Sequence, residues 1–146
     1  HKNIRLAKQI AVKEFFDANE IKYDSYDKAF NIECGLERPD FVFKNATFAI
    51  IVEIDENQHG SYPESCECQR MVNIHQSFEG LKVAFIRYNP DKYKGDQFSD
   101  YQKKQYLLNW INWITANPPI FHLSFVKLFF DGFTIPEAKL IEIPTI

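Results

Sequence analysis

The 146-residue chain is short of glycine, cysteine and methionine, with 5 Gly, 3 Cys and 1 Met. The glycines stand singly, at Gly35, Gly60, Gly80, Gly95 and Gly132, so a P-loop and a dinucleotide-binding glycine fingerprint are both absent. An odd set of three cysteines makes no disulfide framework, which points to an intracellular, reducing compartment such as cytoplasm or nucleus. No apolar run approaches the roughly 18 residues of a membrane span and no signal peptide precedes the first element, so no membrane partner is expected. The chain opens on His1 rather than Met, as a domain cut from a longer protein would. Basic residues are not in excess either: the net charge is −3. A carboxylate-based metal site lowers that total while local patches stay basic, so the charge argues only weakly against nucleic acid.

What is present suits one domain over residues 1–146. Hydrophobic residues make up 45% and charged residues 25%, which excludes wholesale disorder. A chain of this length hides about two thirds of the surface it exposes when unfolded. Aromatics reach 16%, led by 14 Phe and 7 Tyr, enough for a core and for a surface that stacks on flat ligands. Asn45-Ala46-Thr47 has the form of a glycosylation acceptor, a chance match in a reducing compartment.

Periodicity gives the elements. Ile4, Ala7, Ala11, Phe15 and Ala18 recur at helical spacing, predicting a helix from Ile4 to Asn19. Strands are expected at Lys22–Phe30, Phe41–Phe43 and Thr47–Asp55, the last two joined as a hairpin by Lys44-Asn45. A helix over Glu64–Glu79 is stopped by Gly80, Lys82–Tyr88 is a buried strand, and Ser99–Ala116 is a second long helix ended by Asn117-Pro118-Pro119. Leu123–Phe130 is the last strand, and the tail after Gly132 is irregular or marginally extended. The order α-β-β-β-α-β-α-β predicts an α/β domain, a mixed sheet flanked by helices.

The polar chemistry gathers in Arg38-Pro39-Asp40 and in Glu53-Ile54-Asp55-Glu56-Asn57-Gln58-His59. Alternation along a strand puts Glu53 and Asp55 on one face, and the hairpin brings Asp40 beside the end that carries Glu53. Carboxylates converging in this way repel unless protonated or neutralised, and Mg²⁺ suits a few carboxylates with open water positions. His59 follows close enough to move a proton to or from water. Glu14, three after Ala11 and four after Ile10, interrupts the buried edge of the first helix. It either turns out to solvent or faces the same polar site.

The run RPDFVF…IIVEIDENQH…ECQRM…GLKVAFIRYNPD, within Lys13 to Asp91, resembles the very short patch repair (Vsr) endonucleases and the related EDxHD homing endonucleases. These are variants of the PD-(D/E)xK restriction-endonuclease fold. The resemblance implies a metal-dependent DNA endonuclease, with RNA as a possible substrate, and Mg²⁺ or Mn²⁺ as cofactor. Glu14, Asp40, Glu53, His59 and Glu67 would form the catalytic set, with the metal on Asp40, Glu53 and Asp55. Arg70 and Arg87 would hold phosphate oxygens, and Gln58 and Tyr62 would touch the nucleic acid. The chain departs from the ordinary pattern where Asp55 stands in place of the expected lysine, which suits a histidine-based site. The segment from His59 to Glu67 is shorter than in the repair enzymes, so their mismatch-reading parts are not implied.

Blander readings stand beside these. Arg70 can pair with Glu67 one helical turn away, and Arg87 can close a strand end. Cys34, Cys66, Cys68 and His75 invite zinc, but their spacing favours buried free thiols. Lys92, Lys94, Lys103 and Lys104 form a solvated face or a DNA-facing patch. Trp110 and Trp113 are expected in the core. The competing function is a catalytically inactive nucleic-acid-binding or interaction module on the same fold.

Overall fold

β-Branched and aromatic runs form the strands, and their alternation decides which helix each strand face meets. The computed structural model describes residues 2–26, 39–59 and 64–144. In chain order these form α1 (Lys2–Ala18), β1 (Ser25–Tyr26), β2 (Phe41–Lys44), β3 (Phe48–Ile54), α2 (Glu64–Gln76), β4 (Lys82–Tyr88), α3 (Asp100–Ala116), β5 (Leu123–Leu128) and β6 (Ile141–Glu142). Short 3-10 helices cover Glu56–His59 and Ile135–Glu137. The strands make one six-stranded sheet in sequence order, with β3, β4 and β5 parallel to one another and the other pairings antiparallel.

This is the α/β mixed sheet flanked by helices that the periodicity predicts. Of the expected first strand only Ser25–Tyr26 pairs before the chain leaves the described residues. The tail adds one short strand, β6, at the far edge.

Every residue of β3 is buried, because β2 and β4 take its two edges and helices cover both faces. Ile50, Val52 and Ile54, with Ala84, Ile86 and Tyr88, face Val12 and Phe16 of α1 and Leu107, Ile111 and Ile114 of α3. Ala49, Ile51, Val83 and Phe85 face Met71 and Ile74 of α2. Each fully buried Ile, Val or Phe contributes about 1.5–3 kcal/mol, so the seven-residue centre strand is the main source of cohesion.

The buried stripe of α1 is Gln9, Val12 and Phe16, not the alanine stripe read from the sequence; Ala7 and Ala18 are exposed and Ile10 is 38% exposed. The larger apolar area of Val12 and Phe16 outweighs that of alanines, and Phe16 meets Phe41 edge to face at 5.0 Å.

The β2–β3 hairpin turns on Asn45, whose Oδ1 accepts from the backbone of Thr47 (2.8 Å) and Phe48 (3.0 Å). Beyond β5, Phe129 adopts a left-handed φ of 65° while 1% exposed. That conformation costs an aromatic residue about 1–2 kcal/mol. Ring contacts to Tyr88, Tyr93, Phe98, Tyr106 and Phe133 offset it.

A buried carboxylate and guanidinium cluster as the candidate active site

The odd-numbered positions of β3 and β4 that pack on α2 end in charge. After Ala49 and Ile51 on that face come Glu53 and, just past the strand, Asp55; after Val83 and Phe85 comes Arg87. Glu53 is 1%, Asp55 0% and Arg87 2% exposed. α2 lies over them and adds Glu67 and Arg70, 8% and 3% exposed. Asp40, 7% exposed, joins from the residue before β2, where the hairpin register sets it opposite Glu53. The cluster sits at the carboxyl ends of parallel strands, the end of an α/β sheet where ligands commonly bind.

Each charge has a defined partner. Arg70 forms a short ion pair with Glu53, and Arg87 forms one with Glu67 and another with Asp55, the last at 2.6 Å. Asp40 Oδ2 accepts from the Ile54 backbone N–H at 2.8 Å, its own N–H donates to Glu53 Oε2 at 3.1 Å, and Gln9 Nε2 donates to its Oδ1 at 3.2 Å. Among the described residues, these four carboxylates pack with two guanidinium groups.

The electrostatic cost is felt at Asp40. Burial, then the Glu53 charge, raises its carboxyl well above the ordinary value, against the Ile54 N–H and Arg70, which lower it. Burial works to discharge Arg70, yet Glu53, Asp40 and Asp55 raise its pKa further; Asp55 and Glu67 do the same for Arg87.

The structure therefore brings together Asp40, Glu53, Asp55 and Glu67 from the sequence-derived set, and places Arg70 and Arg87 among them rather than on the surface. Arg70 pairs with Glu53 and Glu67 with Arg87, bonds that join α2 to β3 and β4. Glu14 is exposed. Five residues beyond Gln9, it lies about 140° around the helix from the residue that does reach Asp40. His59 ends the 3-10 helix that follows Asp55, its side chain outside the described residues, as is all of Tyr62. Gln58, with φ 58°, instead exchanges two hydrogen bonds with Asp131, to its carboxylate (3.0 Å) and from its N–H (2.7 Å).

Lys103 belongs to neither basic face. It is 4% exposed, donates to the Asp91 carbonyl at 2.8 Å, and lies within 6 Å of the Tyr88, Tyr93 and Phe129 rings. Lys92 and Lys94 are exposed and Lys104 is half-buried. The free-thiol expectation holds for Cys68 but not for Cys66, which is disulfide-bonded; Cys34 lies outside the described residues.

Sequence reasoning missed Gln9 and Asn89. Asn89 is 0% exposed and its amide donates to the Phe129 carbonyl at 2.8 Å, tying β4 to β5 beside the cluster. Gln9 carries a weak signal, a polar residue at helical spacing from Val12 and Phe16.

Among the described residues the cluster's metal-ligating groups are carboxylate oxygens, the donors a hard divalent cation prefers. Among the described residues no three His, Cys, Asp or Glu side chains converge as a metal cage. Mg²⁺ does not need one: it binds through one or two carboxylates and keeps its waters, and each carboxylate oxygen of Asp40 and Glu53 has a second lone pair beyond its present bond. No helix among the described residues is long and apolar enough to cross a membrane. Compared with family models, curated proteins and solved structures, the chain matches none.

Proposed function

We propose that this protein is a metal-dependent endonuclease of the PD-(D/E)xK type, hydrolysing phosphodiester bonds of DNA at the Asp40 cluster. The observation that supports the reading is the convergence of four buried carboxylates from three parts of the chain at the carboxyl ends of parallel strands, where burial and then the Glu53 charge raise the Asp40 carboxyl. Burying carboxylates beside one another costs stability, a cost that a bound divalent cation would offset.

In this reading Asp40 and Glu53, with Asp55, hold Mg²⁺ or Mn²⁺, which supplies polarisation of the scissile phosphate. The chain's own residues fix the donors. Ile54 N–H and Gln9 orient the Asp40 carboxylate, and Arg70 and Arg87 hold Glu53, Asp55 and Glu67 in place, a positioning role rather than a phosphate-binding one. His59 exchanges a proton with the attacking water. Glu14 is exposed, on a different face of α1 from Gln9.

One observation favours the second reading, an inactive nucleic-acid-binding or interaction module: in the described arrangement Glu53, Asp55 and Glu67 are all engaged by arginines. Supercoiled plasmid incubated with Mg²⁺ or Mn²⁺ separates the two. Nicking or linearisation that disappears in Asp40→Ala and in His59→Ala supports the nuclease. No cleavage, together with calorimetry showing no Asp40-dependent metal uptake, supports the inactive module.

A further inference from the structure

Trp113 departs from its expected place in the core: it is 54% exposed. With the half-buried Trp110 it makes an edge-to-face pair, centroids 5.7 Å apart, and the two line a groove of about 930 Å³ between the end of α3, residues 116–121 and residues 138–140. This groove is remote from the carboxylates. Residues 116–121 lead into the start of β5, whereas the cluster lies at the finish of β3 and β4, and seven residues of parallel strand separate the two ends by about 20 Å.

The walls are fixed without a ligand. Asn117 closes α3 by donating both its backbone N–H (2.8 Å) and its side-chain amide (2.9 Å) to the Trp113 carbonyl, which sets the helix end that carries the indole. Pro118 and Pro119 then lock two successive φ angles and present Ile120, 77% exposed, on the facing side. The volume and the mainly apolar lining with a few polar groups are those of small-molecule sites. Among the described residues Lys139 is the one charged side chain of the lining; it also borders the neighbouring pocket that Asp131 and Glu137 line. Exposed indole selects a flat ring, and an ammonium as the one charge of the lining selects negative over positive charge.

We propose that this groove binds a small planar aromatic anion, its ring against Trp113 and its charged group toward Lys139. The site is independent of the nuclease reading.

The chain has 2 Trp, both in the groove, so two indole N–H resonances report on it alone. The test is a titration of the ¹⁵N-labelled full chain with naphthalene-2-sulfonate. Both indole signals are expected to shift saturably. Trp113→Ala, followed through Trp110, should weaken binding about tenfold, the scale of a lost aromatic stack. Lys139→Gln should weaken it about threefold, as for a partly exposed charge pair. The cationic counterpart 2-naphthylmethylammonium should bind more weakly than the sulfonate in the unaltered protein. Indole signals that do not move, or that respond alike to sulfonate and ammonium and in both variants, overturn the proposal. So do indole signals that move with protein concentration alone, which would assign the groove to a second copy of the chain.

Discussion

Asp40 is the residue at which stability and chemistry conflict. Its carboxyl is raised by burial and by Glu53, so the folded protein holds that proton to a higher pH than the unfolded chain does. For such a group the stabilising contribution is complete below the ordinary carboxylate value and is lost as pH rises through the folded-state value. Asp40→Asn removes that loss. The asparagine oxygen still accepts from Ile54, and Gln9 can turn its amide to accept from the new Nδ2. Urea denaturation at about pH 4 and about pH 8 is expected to show little difference between variant and wild type in acid, and a more stable variant, by about 1 kcal/mol, in base. A wild type that gains on the variant as pH rises would contradict the assignment. Arg87 predicts the opposite behaviour, since removing it leaves Asp55 and Glu67 buried without their guanidinium. Arg87→Met should cost about 3–5 kcal/mol, read as a lower urea midpoint or loss of soluble protein. Replacing Asp55 and Glu67 by apolar residues as well should recover most of that loss, because an apolar cluster carries no stranded charge.

At the scale of elements, α3 offers the clearest local prediction. Ser99 caps it: its hydroxyl accepts from Gln102 N–H at 3.1 Å while the Gln102 side chain accepts from Ser99 N–H at 2.9 Å. Ser99→Ala should lower stability by about 1 kcal/mol with no change in the urea m-value. The bounds of α3 and β4 were legible because their signals are local: a Ser before the apolar stripe, an Asn-Pro-Pro stop, a seven-residue run between Gly80 and Asn89-Pro90. The acidic members of the site were legible for a related reason, since Glu53 and Asp55 break an otherwise apolar strand. Their partners were not. Arg70 lies one helical turn from Glu67, yet reaches across to Glu53, and that choice depends on how α2 crosses the sheet, which no spacing encodes. Nor does spacing reveal that Val12 and Phe16 outcompete the alanine stripe of α1, or that Trp113 ends beyond the reach of the core while Trp110 stays within it.

At the scale of the whole molecule, the sheet couples the cluster to global stability. Asp40 and Glu53 close the carboxyl end of the β2–β3 hairpin, Asp55 N–H donates to the Tyr88 carbonyl at 2.7 Å, and Arg87 links β4 to α2. Anything that relieves repulsion there therefore stabilises the fold. A divalent cation bound by the folded state alone adds RT ln(1 + [M]/Kd), about 1.4 kcal/mol at ten times Kd. For a domain of this size that is a rise in Tm of about 3–5 °C. Wild type with Mg²⁺ or Mn²⁺ should show this rise in calorimetry and lose it on chelation. Asp40→Asn should start from a higher Tm without metal and show no rise with it, since the same substitution removes both the repulsion and the ligand. The paired outcome separates the two readings of the cluster even where no cleavage is seen. A wild type indifferent to metal, with the variant still the more stable, would leave a purely structural charge network and count against the nuclease.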